Sequence, residues 1–218
     1  MDFSHFSFIE VIVSLGGMTG IIALGNEMYR IYMRSRVYDP EMVTEFNFRI
    51  YQQLSIIRDK TNCLKSLVIL LHNGGNEPQV GKSLYSSATH ESGKGGDKSR
   101  LDKWNKQPID SHYSEIMMSL VKSKEGYIDI RTKDLPPSIL RNVYITDGIS
   151  HSRVIKLFVY KPKPFKIFSR FQDNTIGKLW YMSVTWGEDT PMTAEEEDTI
   201  RFASNTISKI FEEQYKYD

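Results

Sequence analysis

Residues 176–211 read IGKLWYMSVTWGEDTPMTAEEEDTIRFASNTISKIF and join a predicted strand to a predicted helix. Apolar side chains alternate through 179–186, with Trp180, Met182, Val184 and Trp186 on one face of the strand. Thr193 and Glu196 have the spacing of a capping box, so we expect a helix to begin there. One largely apolar face of this helix then extends to the C-terminus, through Ile200, Ala203, Ile207, Ile210, Phe211 and Gln214. The segment therefore predicts a long alternating strand followed by an amphipathic helix.

A first helix is predicted from residue 39, because Asp39 can cap it and Pro40 suits its first turn. One face of this helix is apolar through about Thr61, at Met42, Phe46, Ile50, Leu54 (or Gln53) and Ile57. We expect that face to pack on the core. A parallel dimer contact along the same helix is the alternative.

Between these two ends the sequence predicts one more helix and several short strands. The helix carries Tyr113, Ile116, Met117, Leu120 and Val121 on one side. The strands are LKSLVILL at 64–71, YIDI at 127–130, VYIT at 143–146, RVIKLFVY at 153–160 and FKIFSRF at 165–171. This order of elements predicts an α+β domain, in which an antiparallel sheet is flanked by amphipathic helices.

Residues 76–107 differ from their surroundings, since they are rich in Gly, Ser, Lys and Asn and show little periodicity. A segment of this length without regular structure is uncommon inside a compact domain unless it is mobile or functional. We therefore expect a mobile loop there.

The charge balance removes the simplest argument for a nucleic-acid-binding protein. The 218 residues carry 28 Lys+Arg and 27 Asp+Glu, for a formal net charge of +1. We accordingly expect no nucleic-acid partner. The single cysteine, Cys63, cannot form a disulfide within one chain, and we expect a buried structural thiol.

The N-terminal segment is the most apolar part of the chain. Residues 11–26 are 16 consecutive uncharged residues, and a membrane span needs about 20 apolar ones. Gly16 and Gly20 form a G-x-x-x-G pattern, which allows two membrane helices to pack closely. Basic residues follow the segment but do not precede it, at Arg30, Arg34 and Arg36. The positive-inside rule then places the rest of the chain in the cytoplasm.

We therefore predict an apolar helix and single-pass membrane anchor in residues 1–37, followed by one domain in residues 38–218. The alternative is a structural protein without a membrane span, whose N-terminal helix is buried in an oligomer.

The region from about Pro40 to Tyr215 resembles a GAF-type sensory domain, a relative of PAS domains. The resemblance rests on the opening helix before LKSLVILLHNGG and on the strand, polar loop and acid-capped helix of 176–211. It implies a three-layer fold and a sensory or protein-interaction role, in a homodimer or other homo-oligomer. The residue sets that mark cyclic-nucleotide binding or chromophore attachment in that family do not occur here, so the resemblance implies no cofactor and no ligand-binding residue.

The layout of one membrane helix before a large soluble domain also resembles small bacteriophage membrane proteins of the holin kind. The basic residues after the anchor depart from that kind, because they keep the soluble domain inside the cell.

No catalytic or metal-binding pattern stands out. Gly81-Lys82-Ser83 resembles the end of a P-loop, but five residues rather than four separate Gly75 from Gly81. The five histidines, His5, His72, His90, His112 and His151, lack the one-turn spacing of a metal site, and we expect them at turns or on the surface. The sequence therefore predicts a binding protein rather than an enzyme, with neither metal nor cofactor.

Overall fold

The computed structural model describes residues 40–73, 83–94, 101–160, 178–189 and 191–215, together with residues 17, 22, 25 and 26. Contacts within the chain fall into two compact units, residues 1–45 and residues 46–218. The sheet and its two cores lie in the second unit.

The predicted anchor contacts and topology residues lie outside the described residues. These are Gly16, Gly20, Arg30, Arg34 and Arg36. In the parts of the chain that the structure describes, no helix combines the length and the apolar character that a membrane crossing requires.

The described ranges contain four α-helices and six strands. The helices are α1 (Pro40–Lys60), α2 (Ser111–Lys122), α3 (Ile139–Thr146) and α4 (Ala194–Tyr215). The strands are β1 (Lys65–His72), β2 (Tyr85–Gly93), β3 (Gln107–Pro108), β4 (Tyr127–Arg131), β5 (His151–Val159) and β6 (Leu179–Trp186). Short 3-10 helices span Leu101–Trp104 and Thr132–Asp134.

All six strands form one antiparallel sheet, in the order β3-β2-β1-β6-β5-β4. The two central strands are the most apolar in sequence, and every residue of β6 is buried. Alternation along β6 sends Trp180 and Met182 into one core and Leu179 and Tyr181 into the other. The predicted α+β architecture, an antiparallel sheet flanked by helices, is confirmed.

Helices α1 and α4 cover the first face of the sheet. Ile50, Leu54 and Ile57 of α1 are fully buried against this face, as the helical spacing predicts. Met42, which the same spacing places on the apolar side, is instead 36% exposed. The capping box of α4 is present, since the Thr193 N–H donates to Glu196 Oε2 at 2.9 Å and the Glu196 N–H donates to Thr193 Oγ1 at 3.2 Å.

Helices α2 and α3 cover the second face, and each begins at a side-chain cap. Asp110 accepts from the N–H of Tyr113, and Ser138 accepts from the N–H of Arg141. Their buried residues pack on the odd-numbered side chains of β1 and β6. The second core therefore depends on two short helices and their caps.

The prediction of a strand at 143–146 is wrong, because these residues form the second half of α3. Valine, tyrosine, isoleucine and threonine favour strands, but the Ser138 cap and the one-turn spacing of Leu140 and Tyr144 win over that preference. Gly148, at φ +66°, then turns the chain into β5.

The expectation that residues 76–107 form a loop without regular structure is wrong for the described ones, which contain β2 and a 3-10 helix; that the segment is mobile stays a prediction. Strand β2 buries small polar side chains, Ser86 and Ser92, rather than apolar ones, so hydrophobic alternation does not reveal it. The predicted strand at 165–171 lies outside the described residues.

Candidate functional site

Tyrosine hydroxyls meet inside the domain, between the sheet and its short helices. Tyr113 comes from the first turn of α2, Tyr144 from α3 and Tyr181 from the middle of β6. Each is at most 5% exposed. Because the odd-numbered residues of β6 face α2 and α3, the Tyr181 hydroxyl lies beneath both helices.

The hydroxyls bond to one another and to serines of the sheet. Tyr113 Oη and Tyr181 Oη are 2.5 Å apart, and Tyr144 Oη is 2.7 Å from Ser152 Oγ. Ser86 interacts with Tyr113 and Tyr181, and Ser183 interacts with Tyr144. We call these six residues, Ser86, Tyr113, Tyr144, Ser152, Tyr181 and Ser183, the hydroxyl cluster.

Burial raises the pKa of all three tyrosines above its ordinary value. The hydroxyls therefore stay protonated at neutral pH, and each can donate one hydrogen bond and accept others. Since every tyrosine hydroxyl already has a partner within the cluster, the arrangement is a closed network rather than a set of groups aimed at an open site.

One carboxylate positions both helices over the cluster. Asp110 Oδ1 accepts from the Tyr113 N–H at 2.8 Å, and Asp110 Oδ2 accepts from the Ile139 N–H, also at 2.8 Å. Burial alone would raise the pKa of this carboxyl, but these main-chain donors outweigh it and lower the pKa. Asp110 thus fixes the starts of α2 and α3 relative to each other.

A charged group lies at the rim of the same face. Asp147 has a side chain only 2% exposed, and its Oδ2 accepts from Lys65 Nζ at 3.0 Å and from Trp104 Nε1 at 3.1 Å. Lys65 also lies 3.9 Å from Glu91. These contacts connect β1, β2 and the 3-10 helix before β3 to the end of α3. Their role is therefore to stabilise the fold at the edge of the cluster.

Sequence patterns do not identify the hydroxyl cluster, because its tyrosines occupy ordinary apolar positions of helices and strands. The sequence signal that could have revealed the cluster is a tyrosine at core positions that phenylalanine or leucine would fill equally well, together with serines in strands. No group of three His, Cys, Asp or Glu side chains in the described ranges could hold a metal ion.

Two histidines are buried, contrary to the prediction of turn or surface positions. His90 lies in β2 and is 4% exposed, with Nε2 2.7 Å from Asn47 Oδ1. His72 ends β1 at 7% exposure and bonds to Ser87. Cys63 is fully buried, as predicted, and burial raises the pKa of its thiol.

Comparisons with known proteins bear on the fold. The GAF domain of Thermosynechococcus elongatus PixJ, in its blue-light-absorbing form, is 12% identical and superposes with a TM-score of 0.51, covering 81% of this chain and 90% of that one. The GAF domain of a two-component sensor histidine kinase from Bacillus halodurans is 12% identical with a TM-score of 0.49, covering 83% and 97%. A GAF domain/HD domain protein from Geobacter sulfurreducens is 12% identical with a TM-score of 0.49, covering 78% and 94%.

No protein-family model matches the chain, and no curated protein matches it. At 12% identity the likeness to PixJ concerns the fold alone. The chain therefore has a GAF-like fold, as the resemblance of residues 40–215 implies. The resemblance in layout to bacteriophage membrane proteins stays a prediction.

Proposed function

We propose that this chain is a regulatory domain that works by binding a protein partner at its surface, without catalysing a reaction. The closed hydroxyl cluster is the observation that supports this role. A small ligand in the interior between α2 and β6 would have to displace Tyr113 and Tyr181, which are 5% and 1% exposed and bonded to each other. Breaking that pair inside the core leaves polar groups unsatisfied, at about 1–3 kcal/mol for each.

Native mass spectrometry of the full chain, extracted without denaturation, tests the interior. We expect the mass of the polypeptide alone or of its oligomer. Photo-crosslinking in cells, with the crosslinker on the surface of the domain, should in addition give a discrete protein adduct. A stoichiometric small molecule that is released on denaturation would contradict the proposal.

The proposal includes a membrane tether through the N-terminal segment, with the domain in the cytoplasm and the chain as a homodimer. Its support is the run of 16 uncharged residues at 11–26 and the arginines that follow it. Reporter fusions to each terminus in bacteria should place the C-terminus in the cytoplasm, and a periplasmic C-terminus would contradict this orientation. Carbonate extraction separates the tether from the oligomer-buried helix, since only the tethered chain stays with the membrane.

A further inference from the structure

Strand β4 is an edge of the sheet, and an open groove of about 630 Å³ runs beside it. Helix α2 forms one wall of the groove, and Asp134, Leu135 and Pro136 form the other. The floor is apolar and half-buried, with Ile116, Ile128 and Leu135 exposed to the groove.

The main chain of β4 offers hydrogen-bonding groups along this groove. Gly126 O accepts from the Lys156 N–H at 2.8 Å, and the Thr132 N–H donates to Ser150 O at 2.9 Å. Antiparallel pairing alternates, so the residues bonded to β5 are the even-numbered ones and the main chain of the odd-numbered ones points away.

Of the outward residues, Tyr127 is already engaged, because its carbonyl accepts from Ser123 Oγ at 2.9 Å. The outward N–H and carbonyl of Asp129 and the outward N–H of Arg131 form no hydrogen bond with any other residue that the structure describes, whereas the carbonyl of Arg131, the N-cap residue, accepts the first bond of the 3-10 helix Thr132–Asp134. An added strand can therefore form one pair of ladder hydrogen bonds with Asp129 and one further bond with the Arg131 N–H.

The charged side chains of this edge do not obstruct it. Asp129 is held by Arg153 through two hydrogen bonds of 2.8 Å, and Arg153 also binds Glu197 of α4, on the opposite face of the sheet. Arg131 lies 3.5 Å from Asp189. Edge strands usually use such charges to prevent pairing, but here both charged side chains are engaged in ion pairs.

Each wall of the groove carries an exposed carboxylate, and the two basic residues that also line the groove, His112 and Arg131, each lie beside a carboxylate. Glu115 on α2 is well exposed, and its one close partner is the ring of His112, at 3.6 Å. Asp134 on the opposite wall is exposed and has no ion pair with another described residue. These two carboxylates favour an occupant that carries basic side chains.

We propose that β4 binds an extended segment of a partner protein as an added strand, with alternate apolar side chains in the groove and a basic residue near each wall. Main-chain hydrogen bonds to Asp129 and Arg131 hold the segment, and the apolar floor and acidic walls select it. This site deepens the proposed function, on which it rests, by naming the surface and the chemistry of the partner.

The probe is the labelled peptide Lys-Thr-Ile-Thr-Ile-Thr-Lys, titrated into the full chain and followed by fluorescence anisotropy and amide NMR. Its isoleucines and lysines share one face of a strand, and its threonines occupy the other. We expect saturable binding that shifts the amide signals of residues 127–131 and 115–119. Absence of binding at millimolar peptide, or shifts confined to another surface, would overturn the site.

Arg131→Pro tests the main chain directly, because it removes the outward N–H; it also moves φ at this position from −105° toward about −65°, so its fold is checked before its affinity is interpreted. Arg131→Ala is the matched control, which loses the same side chain and keeps the N–H. We expect about tenfold weaker binding for the proline variant and less than about twofold for the alanine variant. Equal affinities in the two variants would overturn the role of the main chain, and circular dichroism verifies that both fold.

The charge requirement has its own test. The double variant Glu115→Lys, Asp134→Lys should bind the lysine peptide about tenfold more weakly at low salt and should prefer the same peptide with glutamates at its ends. Glu212→Lys, on the outer face of α4, is the control and should bind normally. A peptide preference that the double variant leaves unchanged would overturn the assignment of the walls.

The two proposals fail separately. A stoichiometric small molecule inside the domain contradicts the proposed function, whereas equal peptide binding by the two Arg131 variants contradicts the edge-strand site alone.

Discussion

Helices α1 and α4 cover one face of the sheet with 21 and 22 residues, whereas α2 and α3 cover the other with 12 and 8. The first core is dominated by aromatic packing around Phe211, whose ring lies 4.6 Å from Trp180 and 5.4 Å from Phe46 between centroids. The second core has the hydroxyl cluster at its centre.

The difference shows two ways of fixing a helix layer on a sheet. A long amphipathic helix buries enough apolar area to hold itself in place. An eight-residue helix such as α3 buries little, so directional bonds have to supply its position: the Ser138 cap, the bond from Ile139 to Asp110 and the bond from Tyr144 to Ser152.

The largest expected effect is on the first face. Phe211→Ala should lower the free energy of unfolding by about 3–5 kcal/mol, because it removes a fully buried ring and leaves a cavity. Phe202→Ala, on the same helix at 65% exposure, should change it by less than about 0.5 kcal/mol. Denaturant unfolding measures both. Similar losses in the two variants would mean that burial against the sheet does not stabilise α4.

The next largest effect concerns a buried histidine on the first face of the sheet. His90 is packed between β2 and α1, and burial lowers its pKa to about 4. In the unfolded chain His90 is protonated below its ordinary pKa of about 6.5, whereas in the folded chain it stays neutral until about pH 4. Stability should therefore fall by roughly 3 kcal/mol between pH 6.5 and pH 4.

His90→Gln isolates this titration, because it should flatten the pH dependence of the unfolding free energy in that range. Some slope will remain, since burial also lowers the pKa of His72 and gives the same sign. His112→Gln, at an exposed ring, is the matched control and should leave the slope intact. An unchanged slope in His90→Gln would show that the buried ring does not carry the acid sensitivity.

On the second face the expected losses of unfolding free energy are smaller, and those of Tyr113 and Tyr181 are not additive. Tyr181→Phe and Tyr113→Phe should each cost about 1–3 kcal/mol, because each leaves the other hydroxyl without its partner in the core. The double variant should cost less than the sum by at least about 0.5 kcal/mol. Tyr51→Phe, at 40% exposure, serves as the control. Additive losses would mean that the two hydroxyls do not stabilise the core as a pair.

The difference between the two faces also explains which parts of the structure can be predicted from the sequence. The first face follows from local patterns, since alternation along β6 and the spacing of Ile50, Leu54 and Ile57 are each contained in one segment. Burial of large apolar groups dominates there, and hydrophobic periodicity is the direct record of such burial.

The second face depends on contacts that no local pattern contains. Tyr113 and Tyr181 are 68 residues apart in sequence and meet only because the fold brings the start of α2 to the middle of β6. Strand β2 looks like a loop because two of its buried positions hold serines, and the Ser86 hydroxyl interacts with Tyr113 and Tyr181 rather than making apolar contacts alone. The two buried histidines, His72 and His90, are hidden for the same reason.

The smallest expected effect is at the capping box of α4, a polar contact for which the sequence predicts both residues and both hydrogen bonds. Thr193→Ala should cost about 1 kcal/mol, whereas Thr193→Ser should be nearly neutral because it keeps the hydroxyl. Denaturant unfolding of the three chains measures this difference. Equal stability of the alanine and serine variants would exclude a cap at this position.

Glu196 should be more sensitive than Thr193, because its second oxygen accepts from the N–H of Asn62, just beyond the end of α1, at 2.8 Å. Glu196→Ala therefore removes both the reciprocal cap and the hydrogen bond that joins α4 to Asn62, in the chain just after α1. Its excess cost over Thr193→Ala measures that bond, which local sequence patterns do not predict. If the two alanine variants lose the same stability, the first face is held by apolar packing and local caps alone, and the contrast with the hydroxyl-bonded face becomes sharper.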